Sequence, residues 1–161
     1  MIGMVVTSAT LLAGAQQPEV RVETPHLDGP RKLADQTAQA VVRDYLESWQ
    51  AMGKALNENS AGLLGQDFVG TAKEKLTGTI HEQAAAGIHT LYADRSHDLQ
   101  IVFYSPDGLS IELTDTVDYD VQILDAQNHP VATRQVHGRY VVVMTPAQVR
   151  WMVRVFQAEA Q

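Results

Sequence analysis

The most regular pattern in the chain lies at residues 109–123, which read LSIELTDTVDYDVQI. Apolar or aromatic side chains occupy the odd positions, with the exception of Asp115, and polar side chains occupy the even positions. Because successive residues of a strand point to opposite faces of a sheet, this alternation predicts a long strand with one buried and one solvated face. A sheet with one wet face is typical of antiparallel architecture.

Further strands are predicted on both sides of this one. Residues 98–104 lead into it through Ser105-Pro106-Asp107-Gly108, which places proline and glycine where a type I turn favours them. A third strand is predicted over residues 131–144. After a turn, a fourth strand carries Val149, Trp151, Val153 and Val155 on one face. A short additional strand is predicted at residues 88–93. Together they form an antiparallel meander.

Two helices are predicted before these strands. Residues 34–58 carry apolar side chains at intervals of three and four, which gives one continuous stripe along a helix. A second helix is predicted to begin near Asp67, a residue type that favours the N-cap, and to end at Gly87. Leu63 and Leu64 are predicted to form a short turn between them. Helices followed by a meander indicate an α+β fold, with the N-terminal helices packed on a curved antiparallel sheet.

Composition excludes several classes of function. The chain has 161 residues, 45% of them hydrophobic and 19% charged, which is the balance of one globular domain. A formal net charge of −7 argues against nucleic-acid binding, which depends on cationic side chains that neutralise phosphates. The absence of cysteine excludes disulfides, cysteine-based zinc sites and a thiol nucleophile. The six histidines show no metal-ligand spacing, and no cofactor motif is present, so neither a metal nor a cofactor is predicted.

The N-terminal fifth of the chain divides into two segments before the domain. Residues 1–15, MIGMVVTSATLLAGA, contain no charged side chain and resemble the apolar centre of a secretory signal or membrane anchor, although no basic residue precedes them. They predict an exported, periplasmic or membrane-tethered protein. The alternative is a disordered apolar tail, or a helix packed on a partner, in a cytoplasmic protein. Residues 16–33 hold three prolines and predict an extended linker. Residues 34–161 are predicted to form a single domain.

This order of elements resembles the nuclear transport factor 2-like superfamily, in which a curved sheet wraps around helices into a cone. The resemblance rests on the helical stripe from Val41 to Leu56, the hairpin at residues 105–108, and the terminal strands RYVVVMTP (139–146) and VRWMVRVFQ (149–157). It covers residues 34–158. The cystatin fold has a similar meander but explains the second helix less well.

The resemblance implies a cavity between sheet and helices, and it directs attention to Asp115. An inward Asp115 would be a partly desolvated candidate general base, as in the SnoaL-like and ketosteroid-isomerase-like enzymes, with Tyr45, Tyr119 or Tyr140 as the second donor. The alternative is a bulge at residues 114–116 that turns Asp115 outward. Six further residues are candidates for lining this pocket: Tyr45, Trp49, Val117, Tyr119, His137 and Arg139. The alternative for each is that it packs in the core or pairs with other side chains on the outer face of the sheet.

Charge is unevenly distributed along the strands. Seven acids and no lysine or arginine lie between residues 96 and 133, whereas residues 134–161 hold four arginines and one acid. Neighbouring antiparallel strands would pair these charges across the wet face, with Glu112, Asp118 and Asp120 opposite Arg134, Arg150 and Arg154. Such exposed pairs stabilise a fold little, but they discourage edge-to-edge aggregation and can set the register of a dimer.

Three functions are compatible with these observations. The first is a non-catalytic domain, exported or tethered, that binds a protein partner or dimerises through its sheet. The second is a small-molecule isomerase or lyase with Asp115 as general base. The third is a domain that binds a small apolar ligand without chemistry.

Overall fold

The computed structural model describes residues 16–27 and 29–160 and shows an α+β fold. Two helices, α1 (Asp35–Glu58) and α2 (Gly70–Ala85), are joined through a short 3-10 helix at Ala61–Leu64. They pack on a curved, unclosed sheet of five strands in the order of the chain. The strands are β1 (Glu19–Val22), β2 (Ile88–Tyr104), β3 (Ile111–Asp125), β4 (Pro130–Pro146) and β5 (Trp151–Ala158). Strands β2 to β5 are antiparallel, as predicted, and β1 pairs with β2 in parallel.

The core lies between α1 and the inner face of the sheet. The predicted stripe of α1 is buried along its length, from Val41 through Tyr45, Trp49 and Met52 to Leu56. The odd-numbered residues of β3 meet it, which confirms the alternation in the sequence. Burial of these large side chains supplies the main stabilisation of the fold, at roughly 1.5–3 kcal/mol for each fully buried one.

The segment predicted as a linker is in part a strand, which corrects the prediction for residues 16–33. Four residues of it form β1 along the outer edge of β2. The chain then follows the same edge, because the backbone N–H groups of Glu23 and His26 donate to the carbonyls of Leu99 and Ile101. Arg31 ends this docked stretch with its guanidinium 4.7 Å from the ring centre of Tyr104. The prolines bound the strand without preventing it, since an edge strand needs donors on one side only.

Three element boundaries also differ from the prediction. Helix α2 begins at Gly70 and not at Asp67, because the backbone of Asp67 and Val69 forms hydrogen bonds with Val153 of β5. The predicted strands at 88–93 and 98–104 are one strand, β2, interrupted by irregular pairing between Asp94 and Ser96. Val149 lies in the turn before β5 and is 91% exposed, so it is not on the apolar face of that strand.

The predicted cross-strand ion pairs have other partners. Asp120 pairs with Arg95 of β2, and Asp118 pairs with His137. The side chain of Arg150 contacts Glu47 of α1 and Asp67. The pairing was mispredicted because β4 is in register with β3 such that Asp120 lies opposite Gln135 and Glu112 opposite Val143.

Part of β4 has no strand partner on one side among the described residues. Strand β4 has 17 residues, but its pairing with β5 covers only Tyr140–Pro146. Residues 130–138 therefore form the outer edge of the sheet in the part of the chain that the structure describes, and we call them the open β4 edge. Residues 1–15 lie outside the described residues. Among the helices that are described, none has the length and apolar character needed to cross a bilayer.

Candidate functional site

Asp115 points into the core. Strand β3 pairs without interruption at this position, with Leu99 on one side and Tyr140 on the other, so the bulge considered for residues 114–116 is absent. The carboxylate is completely buried. Of the two orientations that the sequence left open, the inward one is therefore observed, and the outward one is wrong.

Two side chains donate hydrogen bonds to the same oxygen of Asp115. The Tyr45 hydroxyl, from α1, lies 2.7 Å from Asp115 Oδ2, and His97 Nδ1, from β2, lies 2.8 Å from it. The second oxygen, Oδ1, is buried and has no hydrogen-bond partner among the described residues. The group formed by Asp115, Tyr45 and His97, which we call the buried triad, joins the first helix to the two central strands.

The triad carries an internal ion pair. Burial alone would lower the pKa of His97, but the hydrogen bond to Asp115 and the nearby Asp94 carboxylate outweigh it and raise that pKa to about 9. At neutral pH His97 is therefore an imidazolium that donates to the Asp115 carboxylate. Burial and the negative charge of Asp115 also raise the pKa of Tyr45 well above its usual value, so Tyr45 remains a neutral donor.

Aromatic side chains fill the space in which a cone-shaped fold can hold a ligand. The Trp49 ring meets the rings of His97, Tyr119 and Tyr140 edge-on, at centroid distances of 5.1, 5.5 and 5.9 Å. Tyr140 in turn stacks on Phe156 at 4.6 Å. The consequence is a closed interior, in which Asp115, Tyr45, His97 and Trp49 are 0%, 1%, 2% and 3% exposed.

The predicted pocket residues divide into two groups. Tyr45, Trp49, Val117 and Tyr119 are buried around Asp115, and the Tyr119 hydroxyl lies 2.7 Å from that of Tyr140. The other two predicted residues lie on the outer face of the sheet. His137 Nδ1 is 2.9 Å from Asp118, and Arg139 Nε is 3.2 Å from Glu159. Their assignment to the pocket was wrong, because in the register with β3 they lie opposite Asp118 and Thr116, which face solvent.

Sequence reasoning missed His97 as the partner of Asp115. The turn at residues 105–108 predicts that β2 and β3 pair, but counting outward from it places Asp98 opposite Asp115. The observed register, which includes a shift between Ile101 and Phe103, places Leu99 opposite Asp115 instead, and His97, two residues away on the same face, beside it. The irregular pairing between Asp94 and Ser96 lets both Asp94 and His97 approach the interior.

A second polar cluster lies at the other side of α1. Arg150 Nη2 is 2.8 Å from Asp67 Oδ1 and 3.2 Å from Glu47 Oε2. The buried carboxylate of Asp44 accepts the backbone N–H of Trp151 at 2.8 Å. Burial raises the pKa of Asp67, and Arg150 offsets part of this effect. These contacts hold α1, the loop before α2 and β5 together. In the described part of the chain, no group of three or more histidine or acidic side chains is placed to bind a metal ion.

The fold is shared with solved structures. The intermembrane space region of the chloroplast protein ARC6 superposes with a TM-score of 0.63 at 17% identity, over 81% of this chain and 100% of that one. Aln2 from a Streptomyces species gives 0.51 at 11% identity, over 80% and 93%. A scytalone dehydratase candidate from Novosphingobium aromaticivorans gives 0.52 at 12% identity, over 79% and 89%.

These likenesses confirm the nuclear transport factor 2-like fold that the sequence resembles. No protein-family model matches the sequence, and no curated protein matches it either. The structures that share the fold include a region of a chloroplast protein and a candidate enzyme, so the fold alone does not decide between binding and catalysis.

Proposed function

We propose that the protein is a non-catalytic domain that dimerises or binds a protein partner through the edge of its sheet. The observation that carries the proposal is the open β4 edge. A strand edge offers a row of backbone donors and acceptors, and natural sheets normally cover or blunt such an edge. Here it extends over residues 130–138, and Val131 on it is 64% exposed.

The side chains next to this edge support the same function. A cavity of about 360 Å³ lies beside it, lined by Val121, Ile123, Ala132, Thr133 and Arg134. Strand addition to an open edge takes its affinity from main-chain hydrogen bonds and its specificity from pockets for alternate side chains. The open β4 edge offers both, and a second copy of the chain or an extended segment of another protein would fit it.

A pair of valine substitutions tests this proposal. Val131→Lys places a charge on the open β4 edge, whereas Val149→Lys places the same charge in the exposed turn before β5. We expect sedimentation velocity or affinity capture to show association in the wild type, its loss in Val131→Lys and its retention in Val149→Lys. Equal unfolding midpoints would show that both variants are folded. A monomer that captures no partner, or association that Val131→Lys leaves unchanged, would contradict the proposal.

One observation favours a second candidate, an isomerase or lyase with Asp115 as general base. The carboxylate points inward and has two hydrogen-bonding neighbours, as a base and its supporting donor would. A base must however reach the substrate proton within hydrogen-bond distance, and Asp115 has no exposed surface. This candidate therefore requires Trp49 to move. Turnover of a small carbonyl compound that disappears in Asp115→Asn would support it.

The third function, binding of a small apolar ligand inside the cone, has less support. It needs a cavity lined by Tyr45, Trp49 and Val117, and all three are packed in the core. An ionised carboxylate also lies among them.

We also propose that the domain is exported or tethered. The support is the apolar composition of residues 1–15 and the shared fold of the ARC6 region, which lies in an intermembrane space. Fusion of residues 1–33 to alkaline phosphatase, an enzyme that needs an oxidising compartment, would be active in bacteria if this segment directs export. An inactive fusion that accumulates at normal levels would contradict it.

A further inference from the structure

A second opening lies between α1 and β2, beside Trp49. It is a cleft of about 320 Å³, and we call it the α1–β2 cleft. Its lining combines aromatic, amide and charged side chains: Trp49, Gln50, Gly53, Lys54, Asn57, Leu91, Tyr92 and Asp94. None of these residues belongs to the open β4 edge, so the cleft is separate from the surface proposed above.

Asp94, His97 and Asp115 beside this cleft carry unbalanced charge among themselves, and the nearby cations are Lys54 of the lining and Arg134, whose charge acts on Tyr92. The Asp94 carboxylate lies 3.9 Å from His97 Nε2, and Asp115 lies 2.8 Å from His97 Nδ1. Two carboxylates therefore share one imidazolium, which leaves a net charge of about −1 at neutral pH when His97 is protonated. Because this charge is partly withdrawn from water, it attracts a cation more strongly than an exposed carboxylate does.

Two residues that line the cleft each have a buried polar atom without a hydrogen-bond partner among the described residues. Asp94 Oδ1 accepts no hydrogen bond, and Trp49 Nε1 donates none, among the described residues. Native proteins rarely leave such atoms without a protein, water or ligand partner. Asp94 Oδ1 is an acceptor that suits an N–H donor, and its charge favours one that is positive.

The walls of the cleft also suit a positively charged N–H donor. The rings of Trp49 and Tyr92 lie side by side in one wall, with centroids 6.4 Å apart and planes inclined by 31°. Aromatic faces attract ammonium and guanidinium groups, and tryptophan does so most strongly. Lys54, the cation of the lining, has Nζ 4.0 Å from Glu58 and a mostly exposed side chain, so it lies toward the rim.

We propose that the α1–β2 cleft is a binding site for a small organic cation, an alkylammonium or alkylguanidinium compound. Its charged group pairs with the Asp94 carboxylate, whose side chain is 18% exposed, and lies against the half-buried ring of Tyr92. Its alkyl part extends along α1 past Gly53 toward Asn57. The cleft is at the small end of ligand-binding cavities, which restricts the ligand to a few heavy atoms beyond the charged group.

Nuclear magnetic resonance of the indole N–H groups tests this site directly. The chain has two tryptophans, and Trp151→Phe identifies the resonance of Trp49. Titration near pH 7 uses n-butylammonium and n-butylguanidinium, with butyrate and n-butanol as the anionic and neutral controls. We expect the Trp49 resonance to shift and saturate with a Kd of about 1 mM or tighter for the two cations. The controls should cause no saturable shift.

Two pairs of variants separate the site from general effects on the fold. Asp94→Asn should weaken cation binding about tenfold or more. The control is Asp98→Asn: Asp98 is on the same strand but lies opposite Thr116 on the outer face of the sheet, so this change should leave binding unchanged. A Cβ added at Gly53 lies 3.9 Å from Tyr92, which is ordinary contact. Gly53→Ala should therefore bind within about threefold of the wild type, and Gly53→Leu, which fills the cleft, should lose binding.

Lys54 provides a further check on the sign of the ligand charge. Removing its positive charge in Lys54→Gln should tighten binding of the cations a few-fold. The proposal is overturned if neither cation shifts the Trp49 resonance, if butyrate binds as well as butylammonium, or if Gly53→Leu binds like Gly53→Ala while both remain folded.

Discussion

Replacing Asp115 by asparagine is expected to lower the free energy of unfolding by about 3 kcal/mol near neutral pH. Asparagine has the same shape and still offers one acceptor, so the hydrogen bond from Tyr45 can be kept. What is lost is the buried ion pair with His97, whose Nδ1 lies 2.8 Å from the carboxylate. Removing one partner of a buried pair typically costs about 3–5 kcal/mol, and the lower end applies because His97 can release its proton.

The loss should depend on pH in a defined direction. The pKa of His97 is raised to about 9 in the folded protein, from 6.5 in the unfolded chain. Its contribution to stability is therefore fully present below about pH 6.5 and is lost as the pH rises through 9. A shift of this size corresponds to about 3 kcal/mol. The difference between wild type and Asp115→Asn should accordingly shrink to about half or less by about pH 10.

Urea unfolding followed by tryptophan fluorescence at several pH values measures the loss of unfolding free energy in Asp115→Asn and its dependence on pH. The matched control is Asp118→Asn, on the same strand but on the outer face, where the carboxylate pairs with the exposed His137. An exposed pair of this kind should cost under about 1 kcal/mol. If Asp115→Asn unfolds within about 0.5 kcal/mol of the wild type, or if its cost does not fall with rising pH, the buried triad is not an ion pair.

Two further changes test the contacts around the core. Arg150→Met should destabilise the protein by about 2 kcal/mol, because it leaves the buried Asp67 without its cation, and a urea midpoint equal to that of the wild type would contradict this. Gly108→Ala should lower Tm by an amount equivalent to about 1–2 kcal/mol, because Gly108 has φ of +76° and an added Cβ would lie 3.0 Å from Arg31. The control for Gly108→Ala is Gly62→Ala, because φ of Gly62 is not in the left-handed region. An equal decrease in Tm in the two variants would show that the backbone conformation of Gly108 is not the cause.

The sequence predicts correctly the parts of the fold in which a hydrophobic pattern repeats over many residues. Fifteen residues of strict alternation and a helical stripe of seven turns each repeat one physical requirement many times, so single exceptions do not obscure them. Strand β1 was missed because it has four residues between prolines and exists only through its pairing with β2. Nothing within such a short segment distinguishes a docked strand from an extended linker.

The candidate site could be predicted only in part, for a related reason. Asp115 was singled out because a carboxylate interrupted an apolar row, which is a local signal. Its partners are 70 residues away in the case of Tyr45 and 18 residues away in the case of His97. Register between strands decides which side chains converge, and the irregular pairing between Asp94 and Ser96 cannot be read from composition. The same dependence on register explains why the sequence left open whether His137 and Arg139 line the pocket or pair on the outer face.

The aromatic cluster around Trp49 makes ligand binding inside the cone less favourable than binding at the outer surfaces of this protein. A substrate that approaches Asp115 past Trp49 has to displace that ring from its contacts with His97, Tyr119 and Tyr140. Removing a packed tryptophan costs about 3–5 kcal/mol, so an open conformation would be populated at roughly one part in 10² to 10⁴. The apparent affinity of any ligand for the interior falls by the same factor. A partner at the open β4 edge, or a cation in the α1–β2 cleft, meets no such cost, because neither has to displace Trp49 from the core.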